Sequence, residues 1–387
     1  MTTPPAVKPP PAERRPFGRG APVSPFCLGT MRATGSPEQM AAVLAAAMAA
    51  GINHVETAPA YGMAEHHLGQ ALRALSARDP AAHADLVITS KLLPGCSLQE
   101  GQDQLRALLE RLGLSRLHNL AVHGLNRPEH LSWALEGAGA ELLSWALDGN
   151  LVGQVGFSSH GSNGLIEQAL ASGRFSFCSL HVHLFDQTRL PIARAALQEG
   201  IGVLAISPAD KGGRLYAPSP ELLADCAPFH PLELAYRFLL DAGISNLTLG
   251  AEQPSDLALA QTLRGASPWL SDAHRAALSR LQAAGRERLS AEACGQCRAC
   301  LPCPSAVPIP ELLRLRNLAV GHGMNAFAQE RYNLIGRAGH WWEELNASAC
   351  QRCGDCLPRC PHQLPIPDLL ADTHQRLAAA PRRRLWG

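Results

Sequence analysis

The chain has 387 residues, 46% of them hydrophobic and 17% charged, with a formal net charge of +1. That balance is enough to fill a core and excludes wholesale disorder, and it offers no long-range attraction to nucleic acid or anionic lipid. The sequence contains no run of about 18 apolar residues, so no membrane span is expected.

Residues 1–22 open "MTTPPAVKPPPAERRP", are rich in proline and lack the apolar core of a signal peptide. They are expected to form a flexible arm. From about residue 25, short apolar runs alternate with amphipathic segments. The strand candidates in chain order are "FCLGTM", "NHVETA", "DLVITSKL", "LHNLAVHG", "VGQVGFSS", "FSFCSLHV", "GVLAIS" and "NLTLG". Segments such as "PEQMAAVLAAAMAAG" and "RLPIARAALQEG" lie between them and read as helices ending on glycine caps. Eight such pairs over residues 23–263 predict an α/β fold, a closed (β/α)8 TIM barrel, with an open doubly wound sheet as the alternative.

Catalytic groups in such a barrel belong at the C-terminal strand ends, where the loops converge on one mouth. Glu56 ends the second strand with Tyr61 just beyond it, Lys91 ends the third, and His123 ends the fourth. A tyrosine, with a reference pKa of about 10, is a poor acid near neutrality. An ammonium beside it is expected to lower that value, and an acid beside Lys91 is expected to hold the ammonium in place. His181 and His183 lie two apart on one expected strand and are weighed as metal ligands, with no obvious third. The loop "DKGGRL", Asp210 to Leu215, suits a phosphate or substrate contact, and equally a plain connection.

Over about residues 24–263, "GINHVETAPAYG", "ITSKL", "LAVHG", "VGFSSH", "AISPADKGG" and "LGAEQPSDL" follow the order of the aldo/keto reductase family, which this chain resembles. The resemblance implies Tyr61 as general acid, Lys91 as its activator, His123 as the residue orienting the carbonyl, and Glu56 in place of the family's Asp as partner of Lys91. It also implies cofactor contacts at Ser158, Ser159, His181, Ser207 and Gly250. Several positions depart from the pattern. Ile206 stands where an aromatic residue stacks on nicotinamide, Ser159 where an Asn holds the carboxamide, and His181 where a Gln is usual. Glu252 stands where a basic group often meets the 2′-phosphate, and Leu259 and Ala260 stand where Glu and Asn often hold adenine. An anion there repels phosphate, so NADPH is disfavoured, while NADH and a flavin stay open.

Residues 264–293 are expected to form a linking helix, residues 294–375 a second domain, and residues 376–387 a basic tail. Of the twelve cysteines, four precede position 227 and eight fall between 294 and 360. Cys294, Cys297, Cys300 and Cys303 are evenly spaced and end on Pro304, whereas Cys350, Cys353, Cys356 and Cys360 carry the bacterial ferredoxin spacing before Pro361. Three close thiolates take three corners of a [4Fe-4S] cluster and the fourth comes from the other run. One cluster is therefore expected on Cys294, Cys297, Cys300 and Cys360, the other on Cys350, Cys353, Cys356 and Cys303, with ligation within each run as the alternative. Triple spacing argues against zinc.

The runs lead into "SAVPIPELL" and "HQLPIPDLL", which suggests a duplicated, mostly helical module. It resembles the α-helical ferredoxin modules attached to larger oxidoreductases, and the whole chain resembles aldo/keto reductases with a C-terminal ferredoxin domain. The expectation is a cytoplasmic iron-sulfur oxidoreductase with two [4Fe-4S] clusters, a small-molecule carbonyl or alcohol substrate, and an electron-carrier protein as partner. Two alternatives stand beside it: a conventional NAD(P)H-dependent carbonyl reductase with structural clusters, and a non-catalytic electron-transfer or scaffold protein.

Overall fold

The apolar runs become β1 (Phe26–Gly29), β2 (His54–Glu56), β3 (Val87–Leu92), β4 (Leu117–Val122), β5 (Val152–Ser159), β6 (Phe177–Leu180), β7 (Gly202–Ala205) and β8 (Asn246–Gly250). The structure, a computed structural model, describes residues 14–264, 269–336 and 345–380. All neighbouring strands are parallel, and β8 returns to β1 with Phe26 opposite Leu247 and Gly29 opposite Gly250. The sheet is closed, so the doubly wound alternative is excluded.

Local chemistry sets the helices between the strands. The Ser36 side chain accepts from Gln39 N ahead of the helix Pro37–Ala49, which carries Pro at its first turn. Ser97 and Glu100 form a reciprocal capping box for Leu98–Leu112, which ends at Gly113 with φ 69°. Alternation along the strands turns His54 and Glu56 of β2, Thr89 and Lys91 of β3, Asn119 of β4 and Gln154 of β5 toward the interior, where they are buried.

The lower end of the barrel is closed by residues read from sequence as part of the arm. Arg15 and Val23 pair in antiparallel fashion, and Arg15 Nη1 donates to the carbonyls of Leu240 (3.2 Å) and Ile244 (2.8 Å). Phe17 is fully buried between the rings of His54 and Phe177, each 5.2 Å from it. Residues 14–22 are therefore folded, because Phe17 and Val23 supply apolar surface that the proline-rich composition hid. Residues 1–13 lie outside the described residues.

The chain divides into two compact units, Met1–Pro208 with Ala235–Trp269, and Ala209–Leu234 with Leu270–Gly387. The segment after β7, read as barrel loop, thus folds with the second unit. There Ser219 Oγ donates to His322 O (3.0 Å), Arg214 pairs with Glu330 (2.7 Å), and Arg288 pairs with Asp225 (2.5 Å). The expected linking helix appears as Asp272–Leu289, capped by Ser271, with residues 265–268 outside the described residues. The helix Ile366–Leu377 runs into the expected basic tail, whose residues 381–387 lie outside the described residues.

The second unit is mainly helical and repeats itself. Ile309–His322 and Ile366–Leu377 each follow a proline at the N-cap and carry a second proline in the first turn. Arg298 pairs with Glu311 in the first turn of one, and Arg352 pairs with Asp368 in the first turn of the other. Buried Arg316 joins the two helices through Asp372 at 2.7 Å and reaches Glu292 just ahead of the first cysteine run. Among the described residues no helix is long and apolar enough to cross a membrane.

Candidate active site and cluster cavities

At the C-terminal ends of β2 and β3, Lys91 Nζ sits 2.8 Å from Glu56 Oε1 and 2.7 Å from the Tyr61 hydroxyl. Thr57 O accepts a third, longer bond from the same ammonium at 3.4 Å, a contact with no side-chain signature in the sequence. The ammonium lies 4.5 Å from the Tyr61 ring centroid, and the His123 ring meets Tyr61 edge-on at 5.9 Å. Four residues named from strand ends thus share one cluster, with Lys91 and Glu56 almost fully enclosed.

Burial raises the Tyr61 phenol above its ordinary value of 10.0 and the Glu56 charge adds to the rise, while Lys91 pulls it down without reversing the direction. The sequence expectation of a lowered phenol is corrected here, because desolvation cannot be read from spacing. For Lys91, burial disfavours the charged form, but Glu56 and Tyr61 outweigh it and hold the ammonium above its ordinary 10.5. Burial, with Lys91 nearby, drives His123 down to about 3. At neutral pH the cluster therefore presents a protonated phenol, a charged lysine and a neutral imidazole.

The positions matched to cofactor contacts are placed less uniformly. Ser158 Oγ accepts from Gly124 N at 3.0 Å. Ser159 Oγ donates to Leu125 O at 2.6 Å and accepts from Gly161 N at 3.0 Å, so its donor is committed to the neighbouring loop. Because β6 stops at Leu180, His181 and His183 lie beyond the strand rather than on it, with ring centroids 5.4 Å apart. His160 adds a third ring 4.5 Å from His181, and His183 Nε2 lies 3.1 Å from Ile206 O. Among the described residues no group of three or more His, Cys, Asp or Glu converges where a single metal ion would sit, so the metal reading of this pair is withdrawn.

Ser207, with φ 52°, directs the chain out of β7. At Gly250 an added Cβ would lie 3.2 Å from Arg32 Cδ, so the glycine admits the arginine stem. Glu252 is exposed, its amide bonded to Asp256 Oδ2 at 2.8 Å, and Ala260 is buried. In the loop Asp210–Leu215, Asp210 Oδ1 accepts from the Tyr216 hydroxyl at 3.0 Å and Leu215 is fully buried.

The eight clustered cysteines line two cavities in the second unit. One is lined by Cys303, Cys350, Cys353 and Cys356 with Ile309 and Leu370. The other is lined by Cys294, Cys297, Cys300 and Cys360 with Leu313 and Ile366. Each cavity takes three thiols from one run and one from the other. Cys300 and Cys356 are buried, whereas Cys297 and Cys353 are exposed. Burial and neighbouring thiols push Cys300 up to about 11, so a bound metal must displace its proton. Four thiols spread around one space, without convergence on one point, fit a polynuclear cluster better than one ion.

The comparisons with known proteins match two successive stretches of the chain. The family model described as the aldo/keto reductase family matches residues 25–219, and one described as a 4Fe-4S dicluster domain matches residues 293–365. An aldo-keto reductase of Mycolicibacterium vanbaalenii is 28% identical over 207 residues, covering 51% of this chain and 68% of that protein. Among solved structures, an aldo-keto reductase from Bacillus halodurans aligns with TM-score 0.60 and 16% identity over 70% of this chain and 96% of its own. One from Bombyx mori, in complex with NADP, aligns with TM-score 0.56 and 20% identity over 70% of this chain and 92% of its own. The chain is an oxidoreductase that belongs to the aldo/keto reductase family and carries a 4Fe-4S dicluster domain behind its barrel.

Proposed function

We propose that the barrel mouth interconverts a carbonyl and an alcohol on a small-molecule substrate, and that two [4Fe-4S] clusters link this chemistry to a one-electron carrier protein. The observation that carries the reading is Lys91 Nζ held between Glu56 and the Tyr61 hydroxyl at 2.8 and 2.7 Å. Tyr61 gives its proton to the carbonyl oxygen as the carbon is reduced, which avoids a free alkoxide. Lys91 stabilises the phenolate left behind, and Glu56 keeps the ammonium charged and aimed. Neutral His123, edge-on to Tyr61, orients the substrate oxygen by hydrogen bonding.

Cys303, Cys350, Cys353 and Cys356 would hold one cluster, and Cys294, Cys297, Cys300 and Cys360 the other; each, when bound, passes one electron at a time. The exposed Cys297 and Cys353 leave both ligand sets open to an approaching protein. Thiol ligation on this scale suits the reducing cytoplasm. Hydride carries two electrons together, so NAD(P)H or a flavin would supply the step at carbon. The committed hydroxyl of Ser159 and the aliphatic Ile206 weaken a nicotinamide site at the positions matched to it.

The second reading, a conventional NAD(P)H-dependent reductase with structural clusters, draws its support from the NADP complex of the Bombyx mori relative. Protein purified without oxygen separates the two. Iron and sulfide for two clusters, together with a visible spectrum that bleaches on adding NADH or NADPH, is expected for coupled redox centres. Nucleotide-driven turnover with an unbleached spectrum favours structural clusters. If Tyr61→Phe leaves every redox activity intact, the catalytic reading fails in favour of a scaffold.

A further inference from the structure

One layer beneath the catalytic cluster lies a set of buried polar side chains that the mechanism does not use. Barrel interiors are filled mainly by branched apolar residues, and a buried polar group costs stability unless it is bonded. Here the groups bond to one another across strands. Asn246 Nδ2 on β8 donates to His54 Nδ1 on β2 at 2.5 Å, which leaves the imidazole hydrogen on Nε2 to be donated to Thr89 Oγ1 on β3 at 2.7 Å. Asn119 Nδ2 on β4 donates to the same Thr89 oxygen at 2.9 Å. Gln154 Nε2 on β5 donates to Asn119 Oδ1 at 2.8 Å and to Phe17 O at 3.0 Å, and Gln154 Oε1 accepts from Arg19 N at 2.9 Å.

We infer that Thr89, where the donors from both sides converge, is a positioning residue for Lys91 and Glu56. His54 precedes Glu56 by two residues on β2, and Thr89 precedes Lys91 by two on β3, so each pair faces the interior in successive layers. β2 is only three residues long and is held to β3 by few ladder bonds. The His54–Thr89 bond adds a side-chain tie at the level where the ladder is shortest. The Asn246–His54 bond spans two strands that are both neighbours of β1 but not of each other, a link no backbone ladder can make. Burial holds His54 neutral, at about 3, so the direction of donation does not change over the working pH range.

The inference rests on the proposed catalytic cluster, and its test is read on the protein without turnover. The sequence holds three lysines, Lys8, Lys91 and Lys211, so ammonium resonances in protein labelled with nitrogen-15 lysine are few enough to assign with Lys91→Met. A buried ammonium held by an acid and a phenol exchanges slowly with water and gives a sharp signal. Thr89→Val, which keeps the shape and removes the acceptor, is expected to broaden or abolish that signal in folded, cluster-loaded protein. Thr89→Ser is expected to restore it.

In carbonyl reduction of 4-nitrobenzaldehyde, Thr89→Val is expected to lower kcat by about tenfold to a hundredfold with KM little changed. If Thr89→Val does not fold, Asn246→Ala reads the same resonance from the far end of the chain of bonds. An unchanged Lys91 signal in a folded variant overturns the inference and leaves the polar layer a packing feature. Absence of wild-type turnover would instead count against the proposed reaction, and the resonance would still decide the role of Thr89.

Discussion

Tyr61 is where charge, burial and function meet most directly. Because its phenol is held above the ordinary range, the protonated form needed for reduction is present throughout neutral pH and is lost only above about 10. The reverse direction needs the phenolate. Carbonyl reduction is therefore expected to stay level from neutral pH to the alkaline limb, while alcohol oxidation rises with pH over the same limb, as paired kcat profiles would record. Tyr61→Phe is expected to cut reduction about a thousandfold with iron content unchanged. At Glu56 the pair with Lys91 is almost wholly enclosed, and Glu56→Gln leaves a buried ammonium without its counter-charge, a loss of about 3–5 kcal/mol readable by denaturant unfolding. Glu56→Asp, which keeps the charge, is expected to lose less.

At the scale of elements, the sequence revealed what periodicity and spacing encode. Eight short runs marked eight strands through the apolar residues of their helix-covered face, although interior positions on β2 to β5 are polar. The offset of Tyr61 from Glu56 and the end position of Lys91 were legible because strand ends place side chains at the mouth. Cysteine spacing likewise anticipated which thiols line each cavity. Hidden from it were features set by distant partners: the raised phenol, the loop that claims the Ser159 hydroxyl, and the folding of residues 14–22.

Gly18 belongs to that folded segment. Its φ is 60°, and an added Cβ would stand 2.1 Å from Ser176 O, so Gly18→Ala is expected to cost more than about 1 kcal/mol, seen as a lower Tm. For the cavities, Cys300→Ser and Cys360→Ser are each expected to lose about half the iron, and the double variant no more than either alone. If Cys360→Ser instead compounds with Cys300→Ser and not with Cys356→Ser, ligation runs within each cysteine run.

For the molecule as a whole, three histidines, buried His54 and half-buried His123 and His322, set an acid limit. His54 and His123 are held at about 3 and His322 at about 4, each below the ordinary 6.5 chiefly because burial disfavours the charged ring. Below about 6.5 the unfolded chain binds protons that the folded one refuses, so stability is full above that pH and declines as pH falls toward about 3. Urea unfolding at pH 7 and pH 4.5 is expected to record the difference.

The membership of Ala209–Leu234 in the second unit has a consequence for how this protein can be taken apart or could have been assembled. No single break in the gene yields two whole pieces, since a fragment ending before the helix Asp272–Leu289 would strip Leu222 and Cys226, buried in the full chain, of the helix their own segment packs on. A barrel that acquired an appendage by simple end-to-end fusion would not be interleaved in this way. Joining such an appendage to a barrel therefore entails fitting the span after β7 to it, and a barrel expressed alone is expected to be insoluble unless that span is redesigned with it.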